Sequence, residues 1–296
     1  MHDDVIQQAV ARILRRFEVP ISERRFFYQY ASLTVFRAMC DRVKELRGKS
    51  AWRSGFEGRM YDADTMNDPL EGRFVIDRSR AIFADDPKKS GSRLWALFRR
   101  SRMAPTTVGR TNVLMASLSE ARDSIHMWRA YCPDGGVCVC SRIPEHLPMY
   151  RIGYGEDAAD SILHELDRLV PLNVDQERPG DCANIINKLK PALYLVKAAA
   201  HEGEREVRVM ESYPSFENLE LHTTGDMPPL ARLFVRVPTM YFRHSDLQDE
   251  VMIGPVLNFQ QLKRGLALVQ KEVAYRLEES GLGHVNVTAS EISLRF

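Results

Sequence analysis

The usual landmarks of enzyme families are missing from this chain. Its 296 residues contain no G-x-G-x-x-G, no phosphate-binding P-loop, no G-x-S-x-G and no H-E-x-x-H, so dinucleotide-fold oxidoreductases, P-loop NTPases, α/β-hydrolases and the common zinc proteases drop out. An excess of one charge is missing too. Against 40 acidic residues stand 41 basic ones, a formal net charge of +1, which leaves no global basic surplus of the kind that marks a nucleic-acid binder. Cysteine is scarce: Cys40, Cys132, Cys138, Cys140 and Cys182 have no C-x-x-C spacing, which argues against a disulfide framework and against a zinc site. The simplest expectation is a cytoplasmic protein, in its own cell or delivered into a target cell. No stretch approaches the roughly 20 apolar residues of a membrane span. Asp3, Asp4, Arg12, Arg15 and Arg16 break up the N-terminal apolar residues, so neither a membrane partner nor a signal peptide is expected. There is no internal repeat and no low-complexity linker.

What is present is a hydrophobic content of 44%, ordinary for a globular chain with a sizeable core. Val5, Ile6, Ala9, Val10, Ile13, Leu14 and Phe17 share one helical stripe, with arginines opposite. They predict an amphipathic helix ahead of the main domain, either a lid packed on the core or a helix for a partner. The economical division is therefore an extension over 1–24 and one domain over 25–296. Phe26 to Tyr30 predicts a strand, and Ser32 a cap for a helix running to about Leu46. Gly48 to Arg80 reads as loop with one short strand at Gly58 to Tyr61. Further helices are expected near Leu94 to Arg100, Ile125 to Tyr131, Ile162 to Leu169, Ala183 to Ala200 and Phe259 to Glu278. Strands are expected at Asn112 to Leu118, Val137 to Cys140 and Tyr150 to Tyr154, and again near Asn218 to His222, Arg232 to Val237, Val251 to Ile253 and His284 to Val287. Helices and strands mix without a βαβ rhythm, which predicts an α+β fold with a mainly antiparallel mixed sheet and surrounding helices.

Three places carry candidate chemistry. Glu204-Arg205-Glu206-Val207-Arg208 alternates charge ahead of a β-branched run, so a strand would put Glu204, Glu206 and Arg208 on one face and Val207 and Val209 on the other. That suits the floor of a reaction site and equally a solvated edge strand. Ser117 and Ser119 share a strand face ahead of Glu120, Asp123 and the Trp128–Tyr131 pair. Hydroxyls beside aromatics suit a nucleotide or other planar ring; the plainer reading makes Trp128 core and Ser119 a helix cap. Asn67, Asp68 and Glu71 surround Pro69 in turn chemistry that either orients a ligand or forms a structural Asx-turn. His201, three residues before Glu204, either joins that site or caps a helix end.

Taken together, Tyr28-x-Tyr30, Asn67-Asp68-Pro69-x-Glu71, Ser119-Glu120 with Met127-Trp128-x-x-Tyr131 and Gly136, Lys197 seven residues before Glu204-x-Glu206-x-Arg208, and Ile253-Gly254 resemble the bacterial domain-of-unknown-function family numbered two-nine-seven-one. The resemblance runs from about Phe26 to the C-terminus. It departs at Met66 and at Ser117-Leu118, where the family has Phe and Cys-Phe, and at His201, where the family has Trp. The motif layout also looks like that of ADP-ribosyltransferases of the arginine-serine-glutamate type, with a first-strand polar or aromatic residue, a middle serine-x-serine strand and a late glutamate-x-glutamate strand. The matching positions here are Arg25 or Tyr28, then Ser117 and Ser119, then Glu204 and Glu206.

This resemblance implies an NAD-dependent ADP-ribosyltransferase-like enzyme, such as a toxin, effector or phage-defence component, with NAD as substrate, no metal, and a protein or nucleic-acid acceptor. Glu206 would oppose the positive charge that builds on the ribose, and Glu204 would act on the acceptor. Arg208 would hold a carboxylate or the pyrophosphate. Ser119 would hold the ribose side, with Tyr28, Tyr30, Trp128 and Tyr131 offering stacking surfaces. Asn67, Asp68, Glu71 and His201 would complete the cleft. Two alternatives stay open: a magnesium-dependent nuclease using Asp68, Glu71, Glu204 and Glu206 as oxygen ligands, and a non-catalytic nucleotide-binding or sensing module.

Overall fold

The periodicities of the sequence resolve into a mixed, mostly antiparallel sheet with helices on both faces, an α+β fold. The structure, a computed structural model, describes residues 2–24, 26–47, 55–63, 72–84, 92–103, 112–172, 174–213, 220–223, 231–241, 249–255 and 262–292. Helix α1 (His2–Phe17) leads into β1 (Phe27–Ser32), α2 (Leu33–Leu46) and β2 (Gly55–Asp62). Ser32 is the α2 N-cap, its hydroxyl accepting from the Val35 amide at 3.3 Å, which satisfies one of the amides a helix start leaves unpaired. Helices α3 (Phe74–Ala84) and α4 (Arg93–Ser101) precede β3 (Asn112–Ser119), α5 (Ile125–Tyr131), β4 (Gly136–Ser141), β5 (Met149–Arg151) and β6 (Gly153–Tyr154). Then come α6 (Gly155–Arg168), α7 (Pro179–Leu193), β7 (Val196–Lys197), a 3-10 turn at Ala199–Glu204, and β8 (Glu206–Tyr213). The chain closes with β9 (Glu220–Thr223), β10 (Ala231–Tyr241), β11 (Glu250–Ile253), α8 (Leu262–Glu279) and β12 (Asn286–Ala289).

Strand β3 is the hub. It pairs along its whole length with β8, from Asn112↔Tyr213 to Ser119↔Glu206. Its other edge takes β2 near Met115 and β1 at Ser119, and β4, β11 and β12 continue outward from β1. β5 adds to the free edge of β8. The β11–β12 and β6–β7 pairs are parallel, and the other ladders are antiparallel. Because directly opposed residues of a ladder share a face, Tyr28, Ser119 and Glu206 form one row across β1, β3 and β8.

The two faces are covered differently. Val137 and Val139 of β4 meet α2 and α8 through Phe36, Val43, Val273 and Leu277. Cys138, on the alternate face, packs with Tyr30, Trp128 and Met252. Toward the other end of that second face, Val113, Met115 and Met210 lie under α1, α4, α6 and α7. Helix α1 belongs to this core: Ile6, Ala9 and Ile13 are fully buried.

Several expectations are corrected. Helix α3 occupies part of a stretch read as loop, and α7 ends at Leu193 rather than near Ala200. Tyr150 to Tyr154 is two short strands in different sheets. All five cysteines are buried free thiols. Among the described residues, no helix is long and apolar enough to cross a membrane.

Candidate functional site

The expectation that Glu204, Glu206 and Arg208 alternate along one strand is overturned at its first member. Glu204 closes the 3-10 turn, Arg205 follows in left-handed backbone at φ 45°, and β8 begins only at Glu206. A left-handed non-glycine residue costs on the order of 1–2 kcal/mol. The local ladder compensates: the Arg205 amide donates to the Glu202 carbonyl at 3.1 Å, and its carbonyl accepts from the Glu120 amide at 2.9 Å. The reversal at Arg205 still brings the Glu204 carboxylate to the same place as Glu206.

That place is organised by two cations. The Arg208 guanidinium is fully buried and forks onto Glu206, Nε to Oε1 at 2.7 Å and Nη2 to Oε2 at 3.0 Å, while Nη1 donates to the Tyr194 carbonyl at 2.6 Å. Lys197 stands between the two carboxylates, its Nζ 2.8 Å from Glu206 Oε2 and 3.0 Å from Glu204 Oε2. One buried and one partly buried negative charge thus meet two buried positive ones, the condition under which charge tolerates removal from water. Burial pushes the Glu206 carboxyl up, but Arg208 and Lys197 more than reverse this and hold it at about 2. Parallel pairing of β6 with β7 sets Tyr154 opposite Lys197, and the Tyr154 hydroxyl accepts from the Glu206 amide at 2.7 Å.

Going outward, the cluster opens. The Glu204 side chain is 13% exposed against 4% for Glu206, and Glu204 Oε1 meets His201 Nδ1 at 3.1 Å; the His201 side chain is 39% exposed. Tyr131 at the end of α5 leaves 43% of its surface exposed, while desolvation of its hydroxyl end, reinforced by Glu204, pushes the phenol up to about 12. It is therefore a protonated donor at neutral pH. His126 of α5 packs its ring on the 3-10 turn, where a Cβ on Gly203 would lie 2.8 Å from it.

The other predicted residues divide by use. Ser119 is fully buried; its hydroxyl donates to the Glu204 carbonyl at 2.7 Å and accepts from the Ala121 amide at 2.9 Å. It positions the turn that presents Glu204. Ser117 is half-buried opposite Arg208. Tyr28 is half-buried at the end of the Tyr28–Ser119–Glu206 row, its phenol pushed up to about 12 by burial. Tyr30 and Trp128 are core: their rings meet edge-on at 4.7 Å, the Trp128 indole N–H donates to Asp123 at 2.6 Å, and Tyr30 donates to the Ala121 carbonyl. The Trp128 ring lies 2.6 Å from where a Cβ on Gly254 would be, which gives Ile253-Gly254 a packing reason. Arg25, Asn67, Asp68 and Glu71 lie outside the described residues. Sequence reasoning missed Tyr154, whose role depends on the non-local β6–β7 pair.

Among the described residues, no group of three or more His, Cys, Asp or Glu is placed to hold a metal ion. An apolar hollow of about 440 Å³ opens elsewhere, lined by Leu14, Tyr150, Pro191, Met210 and neighbours. It contains none of the ionic cluster, so the largest chemical signal and this hollow do not coincide. Compared with protein-family models, curated proteins and solved structures, the chain matches none.

Proposed function

We propose that this protein cleaves the bond between nicotinamide and ribose in NAD and passes the ADP-ribosyl group to an acceptor. The observation that carries the reading is the row of Tyr28, Ser119 and Glu206 on adjacent strands, continued by Glu204, Lys197 and Arg208. An arginine-serine-glutamate layout needs one residue each from an early, a middle and a late strand, side by side on one face. Here an aromatic residue takes the early position. Glycosyl cleavage builds positive charge on the ribose, and a carboxylate whose orientation is already fixed opposes it without reorganisation. Arg208 and Lys197 supply that fixation for Glu206. Glu204, with less of its surface covered, faces the acceptor side.

One observation favours a second reading, a nucleotide-binding module without turnover: both oxygens of Glu206 are already engaged by Arg208 and Lys197, as in a structural clamp. The magnesium-dependent nuclease reading requires a divalent ion to displace the Lys197 ammonium from between Glu204 and Glu206, two of its four proposed ligands. Incubation with NAD labelled in the adenylate moiety, with and without EDTA, separates all three. Nicotinamide release insensitive to EDTA supports the transferase. Saturable NAD binding without release supports the binding module. DNA or RNA cleavage restored by magnesium, with no nicotinamide formed, sinks both.

A further inference from the structure

Both carboxylate oxygens of Glu204 are already engaged. Its Oε2 accepts from the Lys197 ammonium at 3.0 Å and its Oε1 faces His201 Nδ1 at 3.1 Å. That ammonium is held in turn by Glu206. The group of this cluster with an uncommitted basic atom is His201: among the described residues its Nε2 has no hydrogen-bond partner, and its side chain is 39% exposed. A carboxylate that accepts from Nδ1–H fixes the imidazole in the tautomer whose lone pair is on Nε2, and stabilises the imidazolium that forms when Nε2 takes a proton.

Four features of the fold position this pair. Ser119 bonds the Glu204 carbonyl, and Lys197 bonds its carboxylate. The left-handed Arg205 turns the chain between the 3-10 turn that holds both His201 and Glu204 and the first residue of β8. Close packing of the His126 ring on Gly203 keeps the turn against α5.

We infer that His201 and Glu204 form a proton-transfer dyad, with His201 Nε2 as general base toward a hydroxyl acceptor, water included, and Glu204 as its positioning residue. The inference rests on the NAD reading for its substrate. In the step, the acceptor O–H gives its proton to Nε2 and its oxygen bonds the anomeric carbon. The bond from that carbon to the pyridinium nitrogen breaks, its electron pair neutralises the ring, and nicotinamide leaves. The imidazolium then loses its proton to solvent.

Two measurements on the full chain test it. Nitrogen-15 histidine NMR at mildly alkaline pH, with the His201 signals assigned by their loss in His201→Ala, should find Nδ1 protonated and Nε2 bare; a protonated Nε2 overturns the dyad whether or not NAD is the substrate. Nicotinamide release should fall about 10²- to 10⁴-fold in His201→Ala, the usual contribution of general acid–base catalysis, and recover in part with added imidazole. His201→Asn, which keeps a donor for Glu204 but no basic nitrogen, should stay slow. Wild-type rates in either variant, or no response to imidazole, overturn the role of His201. If the wild type releases no nicotinamide, the NAD reading fails, and the tautomer alone judges the dyad.

Discussion

Helix α5 touches two polar networks that use charge differently. At its start, Asp123 accepts from the Trp128 indole, from the Ser290 hydroxyl at 2.8 Å and from the Glu291 amide at 3.0 Å. Nearby, Arg122 forks onto Glu250, burial of which is more than offset, so that its carboxyl is lowered. These groups fasten the segment after β12 to the loop after β3, and although the Arg122 side chain is itself half exposed, its fork is spent on Glu250. At the other end of α5, Arg208, Glu206, Lys197 and Glu204 run from full burial to a partly exposed edge at His201 and Tyr131. A network that closes on itself stabilises a fold. One whose last member, His201, keeps a ring nitrogen without a partner among the described residues has chemistry left over.

Substitutions should separate the two. Arg208→Met should have the largest effect, about 3–5 kcal/mol, because it strips the buried Glu206 carboxylate of its bidentate partner; urea unfolding measures it, and a loss below about 1 kcal/mol would mean that the pair is not buried as described. Glu206 makes stability depend on acid. Its ordinary value of 4.5 is depressed to about 2 in the fold, so its contribution is fully present above pH 4.5 and is lost as pH falls through about 2. That contribution is on the order of 3 kcal/mol. The stability gap between wild type and Glu206→Gln should therefore narrow between those pH values; a gap that is flat or widens there contradicts the ion network. Asp123→Ala should cost about 1–3 kcal/mol, the toll for several orphaned donors, without altering NAD turnover. Arg205→Gly should be the mildest, within about 1 kcal/mol of wild type, since relief of left-handed strain is offset by a more flexible unfolded chain. A large destabilisation would show that the Arg205 side chain, not its backbone, holds the turn.

The same contrast explains what the sequence made legible. Helix α1 with Ile6 and Ile13, the Ser32 cap, α5 over Ile125–Tyr131 and the alternation of β4 are local patterns, and local patterns determine them. Glu206 and Arg208 do share a face because β8 is a regular strand there. Helix α3 was obscured by Asp77, Arg78 and Arg80, which dilute its apolar stripe. The end of α7 was hidden because Leu193-Tyr194-Leu195-Val196 continues its apolar pattern, and only pairing with Gly153–Tyr154, far away in sequence, draws the chain into β7. Nothing local marks Arg205 as left-handed, since that conformation is sparsely used by residues other than Gly, Asn and Asp. The ionic cluster was thus readable in its members Glu204, Glu206 and Arg208 and unreadable as an arrangement, while Tyr30 and Trp128 went to the core and Arg25, Asn67, Asp68 and Glu71 lie outside the described residues. Lys197, quoted only as part of a motif, proves to be the ion that joins its two carboxylates.

The most direct test of the open edge as a reaction site is the rate of nicotinamide release by Glu204→Gln, set against the thermal midpoint of the same variant. Gln keeps the shape and a hydrogen bond to Lys197 but loses the charge that supports His201. The account predicts a fall of roughly 10²- to 10³-fold in rate, the usual size for loss of one preorganised electrostatic partner, with a midpoint shift of no more than about 4 °C. A wild-type rate, or a rate loss matched by a collapse of the midpoint, would contradict it.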